Sequence, residues 1–145
     1  MLTNEELERS VTTHYEKVKQ VPGIEEFFVP LDVVFRKNWS NENYGTYCYA
    51  KEDGYHYRTF GDKGNLINKP VTQSLVEITY RAIYDNVFWI STTYEVRHRV
   101  PGQDFRRLMF SKEMEMYTAI GPEYRDICET YLSEILEEVP YDDRD

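Results

Sequence analysis

The sequence predicts an α+β fold, and three observations point to it. Apolar residues recur at helical spacing over residues 4–20. A tyrosine-rich stretch, 44–68, alternates instead and is punctuated by glycine-bearing turns. From Thr72 onward the helical period returns and holds to the end of the chain. An N-terminal helix, an antiparallel β-meander of three or four strands and three C-terminal helices packed on it form segregated layers. No linker divides the 145 residues, so a single domain over 1–145 is expected, with 139–145 a frayed acidic tail.

The elements follow in chain order. Thr3 and Glu6 have capping-box spacing, in which the hydroxyl takes an orphan N–H and the carboxylate reaches back. Leu7, Val11, Tyr15 and Val18 then form one helical face, and Pro22-Gly23 ends the helix. A loop through Pro30 leads to one short strand over about 32–36, rich in β-branched and aromatic residues. Tyr44-Gly-Thr-Tyr-Cys-Tyr-Ala50 and Tyr55-His-Tyr-Arg-Thr-Phe60 read as paired strands around Asp53-Gly54, a hairpin signal. Alternation sets Tyr47 and Tyr49 on one face and Cys48 and Ala50 on the other. A turn at 61–64 and a strand at 65–68 complete the meander. The apolar residues between Leu75 and Val96 nearly encircle the next helix, which marks it as central. Pro101-Gly102 stops it. A third helix from about Asp104 to Ala119 turns Phe105, Leu108, Met109, Met116 and Ile120 inward. The last, 122–138, carries Ile127, Cys128, Tyr131, Ile135 and Leu136.

Composition narrows the function. The net charge of −9 disfavours nonspecific nucleic-acid binding, which needs clustered Lys and Arg, and suits solubility or a basic protein partner. There is no apolar run of membrane-spanning length, and MLTNEELERS has neither a basic nor an apolar leader region; a cytoplasmic location is expected. Cys48 and Cys128 stand apart and are read as buried free thiols. His14, His56 and His98 fall on different elements without metal-ligand spacing, and no phosphate-loop or dinucleotide motif occurs. No metal and no cofactor is therefore expected. Cys48 and His56 could approach across the hairpin, but Cys48 is read as structural. A binding protein is a better reading than an enzyme.

The densest polar cluster is Glu95-Val-Arg-His-Arg-Val-Pro-Gly-Gln-Asp-Phe-Arg-Arg107, with four arginines, one histidine and two acids around a helix corner. Arg97 and Arg99 suit the C-terminal dipole of one helix, and Asp104 is a natural N-cap for the next. Two readings stand: a corner held by Arg–carboxylate pairs, or a basic patch of Arg97, His98, Arg99, Arg106 and Arg107 that holds an anion or an acidic partner. The acids Glu137, Glu138, Asp142 and Asp143 form a second candidate contact surface. Tyrosine is abundant, at 13 residues, and Tyr44, Tyr47, Tyr49, Tyr55 and Tyr57 are either strand formers or, on an open face of the meander, recognition residues.

In the order of these parts the chain resembles the immunity protein 63 family of bacterial polymorphic toxin systems. The resemblance runs over 44–140: the hairpin around Asp53-Gly-Tyr-His-Tyr57, the Trp89-bearing helix, the corner Tyr94-Glu-Val-Arg-His-Arg99 with Gln103-Asp-Phe-Arg-Arg107, and the acidic last helix. It implies a protein that binds and blocks a cognate toxin, with no cofactor and no turnover. Many such toxins are nucleases with basic active sites, which would give the acidic surface a purpose. No binding residue carries over. Two other readings remain: a regulatory or scaffold module unrelated to toxins, and an enzyme with a site near His98 and Asp104.

Overall fold

A computed structural model of the chain describes residues 1–37, 44–61 and 65–144. The elements are α1 (Asn4–Glu16), β1 (Val33–Val34), β2 (Gly45–Lys51), β3 (Gly54–Phe60), β4 (Leu66–Asn68), α2 (Leu75–Arg97), α3 (Phe105–Ile120) and α4 (Pro122–Glu138). Two 3₁₀ turns, Lys17–Gln20 and Glu25–Phe27, follow α1. The fold is α+β, as expected. Its residues form two compact units, Met1–His14 with Pro30–Tyr84 and Tyr15–Val29 with Asp85–Asp145.

The first unit is built on a four-stranded sheet in the order β1-β2-β3-β4. β2, β3 and β4 form the expected antiparallel meander, with Cys48 opposite Tyr57 and Tyr49 opposite His56. β1 departs from expectation: it runs parallel to β2, Val33 against Thr46, so the sheet is mixed. An antiparallel neighbour is usually joined by a tight turn, and no Asp-Gly or Asn-Gly signal lies between Val34 and Gly45. The expected turn at 61–64 falls largely outside the described residues. Thr3 and Glu6 make the capping box reciprocally, at 3.0 and 3.2 Å. Asn4, beside it, accepts the Ala50 N–H at 2.7 Å and so ties α1 to β2.

Both faces of the hairpin are covered. Tyr47, Cys48, Tyr49, Tyr55 and Tyr57 are all buried, and Tyr47 meets Phe60 edge-on with centroids 5.9 Å apart. These tyrosines are core, which settles the choice between strand formers and a recognition face; among the described meander tyrosines, Tyr44 alone is exposed. Gly54, at φ +136°, sits where a Cβ would lie 2.7 Å from the Thr72 carbonyl oxygen. That close approach lets Tyr55 and Thr72 exchange backbone hydrogen bonds at 2.7 and 3.1 Å.

The second unit holds residues 85–97 of α2 with α3, α4 and the 3₁₀ turns. Val87, Ile90, Met109, Met116, Tyr117, Ile120, Tyr124, Cys128 and Leu132 are buried. Tyr15 donates to the Val29 carbonyl at 2.6 Å and stacks on Phe28, which fixes the turn segment. Lys112 lies 4.5 Å from the centroid of the Tyr94 ring and pairs with Glu115 at 2.9 Å. Phe105, predicted inward, is 52% exposed, and Ile127 and Tyr131 are exposed on α4.

Candidate functional site

The corner between α2 and α3 is a clasp closed by the C-terminal segment. Asp104 caps α3 as expected, accepting the Arg106 N–H at 2.9 Å. The same carboxylate takes two hydrogen bonds from the Arg106 guanidinium, at 3.2 and 2.8 Å, and one from the Asp142 N–H at 2.9 Å. With its lone pairs so occupied, chiefly by Arg106, its pKa is held well below the usual carboxylate range. Arg106 donates onward to the Val139 and Pro140 carbonyls, both at 2.8 Å. Arg107 grips both oxygens of Asp143 at 2.9 and 3.0 Å, and its guanidinium lies 4.1 Å from the Tyr141 ring centroid. Asp143 in turn accepts the Asp104 N–H at 2.8 Å.

Gly102 lets the clasp shut. Its φ is +78°, its carbonyl accepts the Arg144 N–H at 2.6 Å, and an added Cβ would collide with the Arg144 carbonyl oxygen. Residues 139–144, expected to fray, are therefore held by side-chain and backbone bonds. What spacing could not show is that Arg107 finds its acid, Asp143, 36 residues further on, and that Arg106 donates to the Val139 and Pro140 carbonyls there.

The structure divides the candidate residues. Asp104, Arg106, Arg107, Asp142 and Asp143 come together in the clasp, whereas Glu137 and Glu138 lie exposed at the end of α4. Arg99 reaches back to the buried Glu95 through two bonds of 3.1 and 2.8 Å. His98 stacks on Tyr94 with centroids 4.1 Å apart, and its Nδ1 lies 3.0 Å from the Tyr94 carbonyl oxygen. Arg97 is exposed and enters no ion pair among the described residues. An open groove of about 660 Å³ runs along Arg99, Asp104, Phe105, Arg106, Val139 and Arg144. Within that groove the Asp104 carboxylate is engaged by the Arg106 guanidinium and by the Asp142 N–H. Among the described residues no group of His, Cys, Asp and Glu is placed to hold a metal ion.

A family model for immunity protein 63 matches residues 52–134, more than half of the chain. The chain belongs to the immunity protein 63 family. No curated protein and no solved structure matches it. The family match spans the β2–β3 hairpin turn, the corner and most of α4, which are the parts that carry the sequence resemblance. It makes this chain an immunity protein against a toxin. No helix of the described residues is long and apolar enough to cross a membrane.

Three other polar groups complete the picture. Cys48 and Cys128 are buried free thiols, each pushed up to about 12, chiefly by burial. Cys48 and His56 project to opposite faces of the hairpin: His56 stacks on its cross-strand partner Tyr49 and meets Asp53 at 2.7 Å. No thiolate–imidazole pair can form there. Glu113 was missed by the sequence reading. It is 4% exposed in the helical unit, receives the Ser91 hydroxyl at 3.3 Å, and burial raises it to about 7. Its signal was present: Met109, Glu113, Met116 and Ile120 share one helical stripe, and three of the four are apolar.

Proposed function

We propose that this immunity protein neutralises its toxin by stoichiometric binding in the cytoplasm, without turnover and without a cofactor. The family match supports the reading most directly. The engagement of Asp104 by Arg106 and the Asp142 N–H supports it too, since that leaves the corner suited to holding the chain together rather than to proton transfer. A net charge of −9 suits a toxin with a basic surface, for which a nuclease domain is the natural candidate. Within the candidate contact residues, Asp143 is gripped by Arg107 and Asp142 pairs with Arg144, so the exposed Glu137 and Glu138 carry more of the proposal.

Titration of its cognate toxin with this chain tests the reading. Residual toxin activity should fall linearly and reach its floor at one immunity protein per toxin. Protection at far below equivalence would mean turnover and an enzyme. Tight capture of another cellular protein, with no effect on the toxin, would favour a regulatory or scaffold module.

A further inference from the structure

Strand β4 ends the sheet with an open edge. It closes the order β1-β2-β3-β4 and has β3 on one side only. The Gly61 N–H donates to the Asn65 carbonyl at 2.7 Å, and the Lys69 N–H to the Tyr57 carbonyl at 3.2 Å. In an antiparallel ladder such bonded pairs alternate with unbonded ones, so Asn65, Ile67 and Lys69 turn their backbone groups toward β3. Leu66 and Asn68 therefore direct an N–H and a carbonyl each away from the sheet. The side chains along this edge are open too: residues 65–71 are all exposed, Leu66 at 43% and Ile67 at 54%. Sheets usually blunt an edge with charge or proline; here Lys69 and Pro70 follow the outward groups, and Leu66 and Ile67 are left apolar.

That edge is complementary to itself. When two copies lie antiparallel about a two-fold axis through Ile67, Leu66 of each falls opposite Asn68 of the other. Every outward N–H and carbonyl of the two residues then finds a partner. Ile67 meets its own counterpart as an unbonded pair, the closer of the two kinds, where β-branched side chains pack well. Lys69 falls opposite Asn65 and not opposite itself. Residues 65–71 include no acid, so two chains of net charge −9 can join here without carboxylates facing each other along the strand. Pro70 holds the next outward position and has no N–H, and its carbonyl accepts from Arg81 at 2.6 Å, which ends the seam there.

We propose that β4 is the seam of a homodimer, in which two sheets join edge to edge through antiparallel β4 strands with the two-fold axis at Ile67. The proposal is independent of the immunity reading, because the partner is a second copy of this chain. Symmetry selects the occupant. An extended toxin segment would find the same backbone groups, but nothing requires it to match Ile67 and Lys69, whereas a second copy matches both by its own sequence.

The test is sedimentation of the full chain. The seam is small, so monomer should give way to dimer only as concentration rises from about 10 μM to about 1 mM. Amide exchange at Leu66 and Asn68 should slow about tenfold over that range, and less at Ile67, whose N–H already faces β3. Ile67→Lys and Ile67→Glu each set like charges together on the axis and should weaken self-association about tenfold, while an equal mixture of the two variants should restore it. Val96→Lys, a like change at an exposed site on α2, should leave it within about twofold. In dilute solution all variants should keep the unfolding midpoint of the parent. A parent that stays monomeric at the upper concentration overturns the proposal, and protection of the Leu66 and Asn68 amides by the cognate toxin alone would assign the edge to the toxin instead. A dimer undiminished by Ile67→Lys places the seam elsewhere. No restoration in the mixture removes Ile67 from the axis and overturns the pairing.

Discussion

Glu137 and Glu138 stand only a few residues from Asp142 and Asp143, and the two pairs have little in common but their charge. The first pair is exposed at the end of α4, whose last turn contains no base, and enters no ion pair among the described residues. In the second, Asp143 is gripped by Arg107, and Asp142 pairs with Arg144 at 3.2 Å while its backbone N–H is held by Asp104. A charge count treats the four as one acidic patch. The geometry separates a pair held by arginines, Asp143 by Arg107 and Asp142 by Arg144, from a pair that enters no ion pair among the described residues. Arginines behave likewise: Arg106 and Arg107 belong to the clasp, and Arg97 does not.

That contrast is broken most severely at Asp104. Asp104→Ala removes the α3 cap and the carboxylate that unites Arg106 with the Asp142 N–H; it should cost about 2–3 kcal/mol by urea unfolding. It should also free residues 139–144, read as faster amide exchange there. The pH dependence has a definite sign. Asp104 is held below its unfolded value, so its contribution is complete above about pH 4 and is lost as pH falls further.

Glu113 provides the opposite case, an acid that burial penalises. Raised from 4.5 to about 7, it binds its proton more tightly in the folded state. Stability should therefore decline as pH rises from about 4.5 through about 7 and level off above that. Glu113→Gln should remove most of this decline and raise stability at pH 8 by about 2 kcal/mol. A midpoint in urea that is flat between pH 5 and pH 8 in the parent would show that the carboxylate pays no such penalty.

The smallest effect is expected at the exposed pair. Glu137→Lys with Glu138→Lys replaces acids by bases at a helix C-terminus and should raise stability by about 0.5 kcal/mol, seen as a slight gain in thermal midpoint. A loss of stability would reveal a structural role for these acids and narrow the difference from Asp142 and Asp143.

Local chemistry was legible in the sequence. The Thr3–Glu6 box, the Asp53-Gly54 hairpin, the Asp104 cap and the limits of α4 all follow from interactions within a few residues. Long-range pairing was not legible. The parallel seating of β1 on β2 depends on where the sheet accepts a strand, and the fastening of the tail on a chance of geometry between Gly102 and Arg144. For Ile127 and Tyr131 the helical period marks apolar residues without saying which of two adjacent stripes turns inward; Cys128 and Leu132 took the inner one.

The two buried cysteines give the molecule a pair of built-in clocks. Cys48 lies in the first unit and Cys128 in the second, and each thiol, at about 12, is almost wholly protonated at neutral pH as well as shielded. Neither will react with an alkylating reagent while its surroundings stay closed. The rate at which each is modified thus counts the openings of its own unit, so one labelling time course, resolved by peptide, reads two local stabilities separately. Toxin added to such an experiment should slow the clock of whichever unit it grips.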